Sequence, residues 1–75
     1  MELMTLPKDD PRRRVLRLAI LAVEKASRDG VVVNATVEAR RIRSQIDVGN
    51  LSVDEVADDI ARLAAEKGVA VEFGE

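Results

Sequence analysis

The chain has no cysteine, histidine, tryptophan or tyrosine. Disulfides, thiolate nucleophiles, imidazole acid-base catalysis and the usual zinc ligand sets are therefore excluded together. Phe73 is the single aromatic residue, so a core must be assembled from Val, Ala, Leu and Ile, although apolar residues make up 47% of the chain. Long hydrophobic runs are missing too. The longest, Leu18 to Val23, is far too short to cross a bilayer, and the first ten residues are acidic rather than basic, unlike a secretory leader. The expectation is a cytoplasmic protein with no membrane association. Seventy-five residues suffice for one small domain, read as residues 11–75 behind an N-terminal arm of residues 1–10. No internal repeat or low-complexity tract stands out.

Charge is plentiful but evenly balanced, with 12 basic and 14 acidic residues and a net charge of -2. The balance conceals a division. From Met1 to Arg43 there are ten basic residues against six acidic ones, a net of +4, and from Ser44 to Glu75 two against eight, a net of -6. A chain divided in this way suits a polar binding surface or a self-complementary dimer.

Helix boundaries are written in the cap residues. Asp10-Pro11 opens a first helix and Asp29-Gly30 closes it. Within it Val15, Leu16, Leu18, Ala19, Ile20, Ala22, Val23 and Ala26 cover about half the circumference, which predicts packing on two sides. The spacing of Glu24 to Arg28 and of Lys25 to Asp29 predicts local ion pairs. Three β-branched residues, Val31 to Val33, then predict a short strand. Asn34 caps a second helix from Ala35 to about Ile46, with Ala35, Ala39, Ile42 and Ile46 on one stripe. Asp47 to Leu51 is a turn.

Ser52-Val53-Asp54-Glu55 fits a capping box, and Val53, Val56, Ala57, Ile60, Leu63 and Ala64 follow at helical spacing. Lys67-Gly68 ends this third helix. Val69 to Phe73 alternates as a strand that sets Val69, Val71 and Phe73 on one face. The fold class expected is mainly α with a small β element, in the order helix, short strand, helix, turn, helix, strand.

This order resembles the winged helix family, in which a helix and a short strand precede a helix-turn-helix unit and the last helix runs into a β-hairpin. The features that carry it are Val31 to Val33 before Asn34, the turn Gly49-Asn50-Leu51-Ser52, and Glu66-Lys67-Gly68-Val69 leading into the last strand. The chain departs from the family in lacking a second wing strand after Phe73, which leaves an edge for a partner subunit to cover. It departs again at the third helix, which in DNA-binding members enters the major groove. Here that face carries Asp54, Glu55, Asp58, Asp59, Arg62 and Glu66. Five carboxylates against one guanidinium repel phosphates. Nucleic acid, if bound, must be met by Arg12, Arg13, Arg14 and Arg17 with Arg40, Arg41 and Arg43.

Other readings fit less well. Acyl carrier proteins attach their prosthetic group at Asp-Ser-Leu, whereas this chain reads Leu51-Ser52-Val53. A ribbon-helix-helix strand alternates and carries polar base-reading residues, which Val31 to Val33 do not. The Asp47 to Asn50 loop has its Gly misplaced for calcium. Ser27, Ser44 and Ser52 have no adjacent base, and no Gly-rich phosphate loop is present, so no enzyme and no cofactor is expected. The sequence points to a non-enzymatic interaction module, a homodimer presenting Asp54, Glu55, Asp58, Asp59, Arg62 and Glu66 to a protein partner, with Leu3, Met4 and Leu6 as an arm across the second subunit. A DNA-binding regulator using the basic N-terminal half is the alternative.

Overall fold

A computed structural model describes residues 11–74, which form three helices and a two-stranded sheet: α1 (Pro11–Asp29), β1 (Val33–Asn34), α2 (Ala35–Gln45), α3 (Val53–Lys67) and β2 (Val71–Glu72). The proposed arm, the Asp10 cap and Glu75 lie outside the described residues. The mainly helical class and the element order agree with the sequence reading.

The helices converge because each turns small or β-branched residues inward. Val15, Ala19, Val23 and Ala26 of α1, Ala35, Ala39 and Ile42 of α2, and Val56, Ala57, Ile60 and Ala64 of α3 form one core, with Val33 of β1 and Val48 of the α2–α3 connection filling in. Alanine at so many of these positions lets the helix backbones approach closely. α3 packs against both α1 and α2.

Only one stripe of α1 is buried. Ile20, about 140° around the helix from Val15, is 39% exposed, and Leu21 is 56% exposed. Within the chain α1 therefore packs on one side, not two. Glu24 pairs with Lys67 of α3 at 3.8 Å rather than with Arg28, while Lys25 and Asp29 do pair, at 3.3 Å.

Both strands are shorter than predicted, for a shared reason. At the end of α1, Val31 N–H donates to Ala26 O at 3.1 Å and Gly30 N–H to Ser27 O at 3.3 Å. At the end of α3, Val69 N–H donates to Ala64 O at 2.8 Å and Gly68 N–H to Ala65 O at 3.2 Å. These are the paired bonds of the Schellman motif, each built on a glycine at positive φ, 68° for Gly30 and 71° for Gly68. The first valine after each glycine is used to close the helix, so strand geometry begins two residues later. Gly30-Val31-Val32-Val33 and Gly68-Val69-Ala70-Val71 thus perform the same local manoeuvre. Their last residues pair in parallel, Val33 with Val71 and Asn34 with Glu72, and Val33 N–H donates to Ala70 O at 3.0 Å.

The last strand accordingly pairs with β1 of its own chain rather than waiting on a partner. Phe73 is 57% exposed and does not join the core. Past Glu72 the chain is held by its backbone instead: Gly74 N–H donates to Thr36 Oγ1 at 2.9 Å, and Gly74 O accepts from Asn34 Nδ2 at 2.6 Å. Asn34 thereby does two things. Its Oδ1 accepts from Val37 N–H at 2.9 Å and caps α2, while its amide nitrogen holds the chain end. Asn34→Asp should keep the cap and lose the clamp, whereas Asn34→Ala should lose both and cost roughly 1–2 kcal/mol. Urea unfolding followed at 222 nm separates the two, with Asp expected to retain the greater part of the stability.

A candidate interaction surface on α1 and α3

Ser52 and Glu55 complete the predicted capping box: Ser52 Oγ accepts from Glu55 N–H at 3.1 Å, and Glu55 Oε1 accepts from Ser52 N–H at 2.8 Å. This fixes the rotation of α3 about its axis. Val56, Ala57, Ile60 and Ala64 face the core, and Asp54, Glu55, Asp58, Arg62 and Glu66 face solvent. Those five of the six α3 residues singled out by sequence do share an exposed face.

Asp59 does not. It is 3% exposed and sits between α1 and α3, where its Oδ1 accepts from Arg12 Nη2 at 3.0 Å and from Arg62 Nη1 at 3.5 Å. Its other oxygen, Oδ2, is buried with no hydrogen-bond partner among the described residues. Sequence reasoning set Asp59 with Asp58 as a surface carboxylate. Yet Asp59 lies three residues after Val56 and four before Leu63, so apolar side chains bracket it on its own face of the helix. That bracketing was the available signal. The bridge from Arg12, near the start of α1, reaches Asp59 in the middle of α3, and the bridge from Glu24, further along α1, reaches Lys67 at the end of α3, so the two helices run in the same sense.

The arginines divide in the same way. Arg12 is engaged with Asp59, Arg41 lies 3.9 Å from Glu38, and Arg40 also has a partner. Arg13, Arg14 and Arg17 are exposed on the outer side of α1, and among the described residues they form no ion pair. Arg43 borders a shallow depression with Arg40, Ser44 and Val53, where α2 meets the start of α3. Arg40 and Arg43 therefore sit beside the start of α3, whereas Arg41 lines a depression with Ala22, Lys25 and Asp29 near the end of α1.

Asp54, Asp58 and Glu66 are likewise exposed and form no ion pair among the described residues. Like charges one helical repeat apart on α3 are mildly unfavourable, and the positive end of the helix dipole offsets this for Asp54 and Glu55 but only weakly beyond the first turn. No three His, Cys, Asp or Glu side chains among the described residues are placed to hold a metal ion. No described helix is long and apolar enough to cross a membrane. Comparison with protein-family models, curated proteins and solved structures finds no match to the chain.

Proposed function

We propose that the chain is a small non-enzymatic protein-interaction module of winged-helix-like organisation, working in the cytoplasm as a homodimer and using the acidic outer face of α3 as a contact surface. The observation that carries this reading is that Asp54, Asp58 and Glu66 are exposed and form no ion pair among the described residues. Carboxylates so placed favour a basic protein surface and disfavour a phosphate backbone. Ile20 and Leu21, exposed on α1, supply apolar area that charge alone does not. Sedimentation equilibrium at tens of micromolar tests it. The expected result is a species of twice the 8.2 kDa chain mass, and a monomer at every concentration overturns the homodimer.

A second reading is supported by Arg13, Arg14 and Arg17, which have no carboxylate partner among the described residues. In it the chain is a DNA-binding regulator that docks through α1. Binding to a fluorescein-labelled duplex would then fall steeply with salt, weaken on Arg17→Ala and be insensitive to Asp58→Asn. Absence of retardation at low salt removes it. The dye is needed because a chain without Trp or Tyr is nearly invisible at 280 nm.

A further inference from the structure

We infer that the basic surface met by α3 is α1 of a second copy of this chain, the arginines Arg13 and Arg17 of each subunit lying against Asp54 and Asp58 of the other. This rests on the homodimer proposed above and adds which faces form it. Three features carry it. All four side chains are exposed and have no ion pair among the described residues. Their signs are opposite by helix, in keeping with the division of the whole chain. Their spacing also matches, since each pair is four residues apart, about 6 Å along a helix axis. Two such pairs fit together without distortion in a parallel register. In that register Leu21, four residues beyond Arg17, comes level with Arg62, four beyond Asp58, and packs on the methylene stem of that exposed side chain, with the short Ala61 beside it.

The contact joins two different faces, so its closure matters. A two-fold axis that sets α1 against α3 twice satisfies both faces of both subunits, and the assembly stops at two. Each subunit then covers the other's exposed carboxylates. An exclusively charged contact between exposed groups is weak and screened by salt, and the Leu21 contact is what gives it residence.

The test combines a salt series with charge exchange, read by sedimentation equilibrium with interference optics. Wild-type association should weaken about tenfold or more between 50 mM and 500 mM salt. Arg17→Glu and Asp58→Arg should each weaken the homodimer by about tenfold, because each sets like charges together twice per dimer. Mixed in equal amounts the two variants should associate again, since the Glu of one chain then meets the Arg of the other and the remaining faces are wild type. A wild-type monomer overturns both this inference and the homodimer beneath it. A dimer indifferent to salt, to both variants and to mixing overturns the inference alone and leaves the homodimer standing. A ladder of larger species overturns the two-fold closure. Retardation of a labelled duplex that Arg17→Glu abolishes, with no salt-sensitive dimer, assigns the arginines to nucleic acid instead. The salt series needs no variant, so the inference stays exposed to refutation even where a substitution disturbs folding.

Discussion

Ile60→Ala should remove a large share of the stability of the chain. Among the described residues Ile60 is the largest side chain that is fully buried, and the next largest, Val15, Val23 and Val56, are smaller. Removing its outer carbons forfeits their transfer free energy and leaves a cavity that alanines at 19, 39 and 64 cannot collapse to fill. The usual cost is about 2–5 kcal/mol. A domain of this length has roughly 4–11 kcal/mol in total, so the lower part of that range is consumed by one substitution. Thermal unfolding followed at 222 nm should show a midpoint lower by roughly 10–30 °C. Phe73→Ala is the matched control. It deletes the only ring in the chain, yet Phe73 is exposed, and its loss should change stability by less than about 0.5 kcal/mol. A fall of only a few degrees for Ile60→Ala would show that the core is held by something other than its aliphatic packing.

That contrast agrees with the aliphatic core read from composition, but separates Phe73, which is exposed, from Val69 and Val71, which pack against the core although the strand pattern set all three on one face. The helices themselves were legible. Gly30, Asn34, Ser52-Glu55 and Gly68 set boundaries within a residue of those observed, because caps are local chemistry acting over three or four residues. The strands were overestimated because β-branched residues after a glycine signal extended backbone without saying how much of it the helix cap consumes. The parallel pairing was missed for a different reason. The repeated Gly-Val-x-Val is present at 30–33 and 68–71, but four residues are too few to register as a repeat, and pairing across 38 positions is decided by how α1 and α3 pack. The exposed row on α3 followed from helical periodicity and its capping box. The departure of Asp59 from that row, and the identity of its partner, required the tertiary approach of residues 47 positions apart.

The Arg12–Asp59 bridge gives the second large effect, and it should be asymmetric. Among the described residues, Arg12→Ala leaves a carboxylate that is 3% exposed with only the longer 3.5 Å contact from Arg62, and its Oδ2 already lacks a partner there. A buried charge stripped of its principal partner typically costs about 3–5 kcal/mol. Here Arg62 and some local rearrangement reduce that to about 2–3 kcal/mol. Asp59→Asn removes the other partner and strands no charge in the interior, because the Arg12 and Arg62 side chains are 53% and 65% exposed and can return to water. Its cost should be under about 1 kcal/mol, the net value of an ordinary hydrogen bond. The double variant should then be more stable than Arg12→Ala alone, since neutralising Asp59 removes the very charge that made the loss of Arg12 expensive. Urea unfolding of all four proteins closes the cycle, with a coupling of roughly 1–2 kcal/mol expected. Equal losses for the two single variants, adding in the double, would mean that the two residues contribute independently and that burial of the carboxylate is not what makes Arg12 necessary.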